Sequence, residues 1–207
     1  MKIDKDRIRT MFLRAGDAVI AAEQELTEID SRFGDADHGI TMTKIAGAVR
    51  TAAQESTDDS IKSMLDDIAM GVMMINGGSA VPLWNTFLDA MQENAPDAGE
   101  ITLEQLKEMF GAAAEELSAL SKAKVGDKTM MDAILPAVAA IQETEGDLSA
   151  VMDAGAQAAL AGAEATKNYV SKFGRAKSYK EETIGTPDAG AVSAARFFVG
   201  LSQGTTG

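Results

Sequence analysis

Asp30, Asp35 and Asp37 fall within eight positions in the stretch TEIDSRFGDADHGITM, residues 27–42, and His38, the single histidine of the chain, follows directly. Hard divalent cations such as Mg2+ take carboxylate oxygens, usually a few together with water and phosphate. Without a cation, three carboxylates this close repel one another and their pKa values rise. The spacing therefore has two readings, a cation site or a polar turn in which aspartate caps a helix. It is not an EF-hand, since Gly39 is misplaced and Ala46 stands where the bidentate glutamate belongs. His38 could be a ligand, a phosphate donor or a turn residue, and the spacing leaves all three open.

Three further stretches break the helical pattern. INGGSAVPLW, residues 75–84, places a glycine pair before a helix start near Ser79. Backbone N–H groups at such a start bind phosphate, although Gly-Gly is also an ordinary helix stop. VGDKTMMD, residues 125–132, offers Asp127, Lys128 and Thr129 at another helix start, with capping as the alternative. KNYVSKFGRAKSYK, residues 167–180, carries Lys167, Lys172, Arg175, Lys177 and Lys180 with no acid between them. In an acidic chain that excess suits an anionic ligand. Charge alone favours the plainer reading, a solvated helix end with cations near the C-terminal dipole. Neither a Walker A pattern nor a Rossmann fingerprint is present.

The rest of the chain must position these residues. Its 207 residues suit one domain over 1–207, and 45% hydrophobic with 25% charged residues is globular composition. The formal net charge of −13 argues against nucleic acid as a partner. No apolar run reaches membrane-spanning length, and MKIDKDRIRT lacks the apolar core of a secretory signal. With no cysteine for disulfides, a cytoplasmic location is expected.

Helical periodicity predicts eight helices, over about 5–28, 39–54, 59–75, 79–94, 102–121, 129–142, 147–171 and 188–203. Thr102 with Gln105 reads as a capping box, and Pro136 predicts a kink in the sixth helix. No stretch alternates as a strand should. Eight helices with short connections predict an all-α, antiparallel up-and-down bundle or barrel. The joints after helices one, three, five and seven are the four stretches above. In an up-and-down arrangement alternate joints share an end, so a composite site built from loops is expected there.

Together the joints resemble the DhaL family, the nucleotide-binding L subunit of dihydroxyacetone kinase. GDADHG (34–39) stands against the family's G-D-x-D-H-G, and GDKTMMDAILP (126–136) against G-D-K-T-M-x-D-x-x-x-P. GRA (174–176), IG (184–185) and DAG (188–190) stand against G-R-A, I-G and D-P-G. The resemblance implies an eight-helix barrel binding ADP or ATP and Mg2+ at one end. It implies Asp30, Asp35 and Asp37 as metal ligands, with His38, Gly39, Ile40 and Thr41 following at the phosphates. Ser79 and Ala80 match the phosphate-binding helix start, Ser121 a position near the base, and Met130 a nucleotide contact. Arg175, Asp188, Ala189 and Gly190 match a segment that closes over the nucleotide. The chain departs from the family's pattern at Ala80 and Val81, where Ser-Gly is common, at Ser121 in place of glycine, and at Ala189 in place of proline.

The implied activity is a phosphotransferase subunit working with a K subunit that holds dihydroxyacetone. The phosphoryl source would be ATP or a phosphotransferase-system phosphocarrier that recharges bound ADP. Alternatives are a kinase subunit for another short ketose such as a tetrulose, and a nucleotide-binding regulatory module without transfer.

Overall fold

Apolar residues recur at helical spacing along most of the chain, and nine α-helices form among residues 2–206, which this computed structural model describes. They are α1 (Lys5–Ala21), α2 (Glu23–Asp30), α3 (His38–Glu55), α4 (Ile61–Met73), α5 (Ala80–Glu93), α6 (Leu103–Leu120), α7 (Met131–Glu143), α8 (Leu148–Ala165) and α9 (Ala189–Gln203). The chain is all-α apart from two three-residue strands. Local chemistry sets several helix starts. Asp4, Ser60, Asp147 and Asp188 cap α1, α4, α8 and α9 through their side chains. Thr102 and Gln105 form the expected capping box on α6, at 3.1 and 2.8 Å.

Three expectations need correction. The predicted first helix is two, because Ala22 leaves helical geometry with ψ near 3° and its N–H turns back to Val19. The break lets α2 lie on α3 and α9 while α1 continues along the core. The predicted seventh helix stops at Ala165 rather than near 171. Its next carbonyl, on Thr166, is taken by the Lys128 ammonium at 2.7 Å, and a short 3₁₀ turn, Thr166–Asn168, follows. The two strands, β1 (Lys2–Asp4) and β2 (Glu100–Thr102), were not expected. They pair antiparallel, with Ile3 opposite Ile101 and both side chains buried. Three residues are too few to display alternation. Pro136 sits inside α7, which runs through it as one helix.

Each helix packs on the next in chain order from α3 to α9, and α1 packs on both α3 and α9. The shared interior is filled by Phe12, Trp84, Phe87, Phe110, Phe197 and Phe198, whose rings meet at 4.8–6.4 Å between centroids. Burying one such side chain stabilises the fold by about 1.5–3 kcal/mol. A rigid packed interior of this kind fixes the helix ends from which the site is built. Among the described residues no helix is long and apolar enough to cross a membrane.

Candidate functional site

Residues from all four expected joints line one cavity of about 850 Å³. The N-termini of α3, α5, α7 and α9 reach it through Asp37, Ser79, Met130 and Asp188. Four helix dipoles thus present their positive ends to one space, which favours an anion. At the starts of α3 and α5 no side chain caps the helix, so first-turn N–H groups are available to a ligand.

The aspartates sit at the α2–α3 joint. Asp30 is the last residue of α2, and its Oδ2 accepts from the backbone N–H of Asp37 at 3.1 Å and of His38 at 3.4 Å. Ala36 takes the left-handed conformation, φ 61°, which folds the joint back toward α2. One carboxylate oxygen from each of Asp30, Asp35 and Asp37 then lies within 4.8 Å of the others. Gly34 is demanded here, since a Cβ would lie 2.0 Å from Asp30 Oδ1. A cation has an all-oxygen donor set available, the kind a hard ion takes.

His38 has a resolved neighbourhood. Its Nε2 lies 3.0 Å from the Ser193 hydroxyl, which itself donates to the Gly190 carbonyl at 2.9 Å. Burial pushes the imidazole pKa down against the raising influence of Asp30 and Asp37. A neutral His38 therefore ties the start of α3 to the start of α9.

A loop over residues 166–186 covers one side of the cavity. Its two ends are gathered by Lys128, a buried lysine with left-handed backbone, φ 62°. The ammonium donates to the carbonyls of Thr166, Thr183 and Thr186 at 2.7, 2.8 and 2.6 Å. Gly185 N–H closes the same neck on the Lys167 carbonyl at 2.7 Å. Asp132 holds the turn that presents Lys128, accepting from Gly126 N–H at 2.5 Å and Thr129 N–H at 2.7 Å. The loop's tip touches the aspartate joint. Arg175 Nη2 lies 2.6 Å from Asp35 Oδ2, and Tyr179 packs on Phe33 with ring centroids 5.1 Å apart. Asp188, half-buried at the α9 start, is pushed up to about 7 by burial, with the charges of Asp132 and Asp30 adding to the rise. The Ala191 N–H and the Lys128 charge pull the other way.

Most residues singled out in the sequence meet at this cavity: Asp30, Asp35, Asp37, His38, Thr41, Ser79, Ala80, Ser121, Met130, Arg175, Asp188, Ala189 and Gly190 all line it. Gly39 and Ile40 do not. A Cβ on Gly39 would meet the Glu23 carbonyl and Thr27 Oγ1 at 2.2 Å, so this glycine serves the close approach of α3 to α2. Ile40 is exposed. Sequence reasoning missed Thr166, Thr183 and Ser193, none of which carries a spacing signal. It placed Lys128 and Asp132 only within the helix-start stretch and the GDKTMMDAILP motif.

Residues 32–203 match the DAK2 domain family. The chain is 31% identical over 196 residues to the PEP-dependent dihydroxyacetone kinase, ADP-binding subunit DhaL, of Escherichia coli K12, covering 93% of each chain. It is 33% identical over 189 residues to the D-erythrulose kinase of Mycolicibacterium smegmatis, covering 89% of this chain and 33% of that one. In fold it matches the C. freundii dihydroxyacetone kinase solved in complex with AMP-PNP and Mg2+. The TM-score is 0.72 at 21% identity, over 95% of this chain and 33% of that one. With the motifs, the helix order and near full-length similarity in agreement, the chain belongs to the DAK2 domain family as a DhaL-like member.

Proposed function

We propose that this chain is the nucleotide- and Mg2+-binding subunit of a dihydroxyacetone kinase, and that it forms a single domain. It passes a phosphoryl group from bound nucleotide to dihydroxyacetone, or a similar short ketose, held on a separate K subunit. One observation carries the reading. Three clustered carboxylates and four helix N-termini face one cavity, in a chain that spans 93% of a PEP-dependent DhaL subunit. The packing of α3 through α9 in order, with α1 against both α3 and α9, supports a barrel with the nucleotide at one end.

The residues fit the group. Asp30, Asp35 and Asp37 would hold Mg2+, and Arg175 already answers the charge of Asp35. A volume of about 850 Å³ lies within the range of small-molecule sites, about 300–1,000 Å³. When bound, Mg2+ supplies a compact positive charge beside the phosphoryl oxygens. The chain's own contribution is positioning. Backbone N–H groups at the starts of α3 and α5 orient phosphate, with the Ser79 hydroxyl beside the second. Neutral His38 holds two of the four helix starts together, and the 166–186 loop excludes water from that side. No residue here need act as a general base, because phosphoryl transfer depends mainly on placement and charge.

Near full-length similarity to PEP-dependent DhaL subunits supports ADP that stays bound and is recharged by a phosphotransferase-system phosphocarrier. Free ATP is the alternative source. Identities of 33% and 32% to D- and L-erythrulose kinases support a tetrulose as the alternative ketose. The test mixes the chain with its cognate K subunit, dihydroxyacetone, and either ATP or the phosphocarrier with phosphoenolpyruvate. Dihydroxyacetone phosphate is the expected product. Intact ADP·Mg2+ binding without turnover from any donor would refute transfer and leave a regulatory module. In calorimetry Asp37→Asn should weaken Mg2+-dependent ADP binding at least about tenfold while the helical circular dichroism stays unchanged, the loss expected when a charged ligand of the cation becomes a neutral amide. Wild-type affinity would refute the metal assignment.

A further inference from the structure

The tip of the 166–186 loop meets the aspartate joint through two contacts of different chemistry. One is apolar, Phe33 against Tyr179. The other is ionic, Arg175 against Asp35 at 2.6 Å. The ionic partner is a member of the carboxylate trio whose oxygens lie within 4.8 Å of one another. A guanidinium and a divalent cation draw on the same lone pairs, and Asp35 offers only two oxygens.

We propose that Arg175 is a built-in competitor for the metal position. It latches the loop to Asp35 when no cation is bound, and a cation on Asp35 releases Arg175 to the phosphate side of the cavity. This rests on the metal reading given above. The geometry makes the exchange practicable. The loop's neck is fixed by Lys128 and by the Gly185–Lys167 backbone bond, so the tip can shift without unfolding its base. Gly174, φ 62°, lies beside Arg175, and Lys180, φ 49°, follows Tyr179, so both ends of the tip have left-handed backbone. Arg175 and Asp35 keep 71% and 35% side-chain exposure. A pair this open is weak, so a divalent cation displaces it readily. The Phe33–Tyr179 contact carries no charge and does not respond to the cation.

The consequence is an order of events. Cation binding without nucleotide loosens the ionic half of the latch, and nucleotide then gives Arg175 a new anionic partner. The experiment titrates the full-length, nucleotide-free protein with Mn2+, read by electron paramagnetic resonance of the free ion. Arg175→Gln should bind Mn2+ about two- to fivefold tighter than wild type, the fold-change expected from losing an exposed ion pair. Lys177→Gln removes one charge from the same loop without touching Asp35 and should leave Mn2+ affinity unchanged. Hydrogen exchange of residues 172–182 in the wild type should speed up with Mn2+ alone and slow again when ADP is added. Equal tightening in both variants would mean a general field effect and overturn the latch. Unchanged or weaker Mn2+ binding in Arg175→Gln would also overturn it, as would Mn2+ alone slowing exchange at the tip. Wild-type protein that takes up no Mn2+, with or without ADP, would overturn the metal reading and the latch together.

Discussion

Replacing Lys128 by methionine tests whether the loop over the cavity is held from beneath. The ammonium is buried and donates to three carbonyls at 2.6–2.8 Å. Hydrogen bonds to a charged group contribute about 1.5–3 kcal/mol each, which would sum to about 5–9 kcal/mol. The sum overstates the loss. Methionine removes the cost of burying a charge, and that cost is real here, since burial pushes the Lys128 pKa down against the raising influence of Asp188 and Asp132. What remains is three carbonyls without their donor, about 3 kcal/mol. The left-handed φ of 62° burdens either side chain alike and cancels. For 207 residues that loss corresponds to a Tm lower by about 6–12 °C. Urea unfolding measures the global effect, and hydrogen exchange measures the local one. Residues 166–186 should lose more protection than the α5–α6 core. A stability change under about 0.5 kcal/mol, with the loop's exchange unaltered, would refute the anchoring role.

Three further outcomes can be measured. Asp188 sits at about 7 in the folded chain against an ordinary 3.8, so the native state binds the extra proton between those values. Stability of the ligand-free protein should fall as pH rises from about 4 to about 7, and Asp188→Asn, which keeps a helix cap, should flatten that slope in urea midpoints. His38 works in the opposite sense, because its folded pKa lies below 6.5 and its contribution is lost as pH falls beneath that value. Gly162→Ala places a Cβ 1.9 Å from the Asp132 carbonyl oxygen. It should cost about 1–3 kcal/mol by thermal melts and disturb the turn that presents Lys128, by forcing α8 away from α7.

Periodicity located the long helices because each has one continuous apolar face, and the start of α6 was legible through its capping box. The break at Ala22 was not legible, since alanine is the best helix former and nothing local marks the bend. It arises from where α2 must lie. The early end of α8 has the same character. Thr166 is no helix breaker, and its carbonyl is captured by a lysine 38 positions away. At the site, the aspartates and the glycine joints were visible because charge repulsion and turn chemistry are written locally. Lys128, Thr183 and Ser193 act through partners that only the assembled helices bring near. His38 shows the divide most plainly. Spacing left it with three roles, and its contact with Ser193, 155 positions away, is supplied by the fold.

The start of α1 and the end of α9 lie close together, with Arg7 Nη1 donating to the Gly204 carbonyl at 3.3 Å. The 15-residue α9 carries Gly204 about 22 Å from the cavity rim at Ala189. A tether joined near the start of α1 or the end of α9 would therefore leave the cavity mouth open. That suits relatives in which the same fold makes up about a third of a longer polypeptide. Covalent linkage would replace a diffusional encounter with a fixed effective concentration, typically about millimolar for a short flexible linker. Separate subunits must supply the same proximity through affinity alone. The shared fold can serve both arrangements because its points of attachment and its chemistry occupy opposite poles.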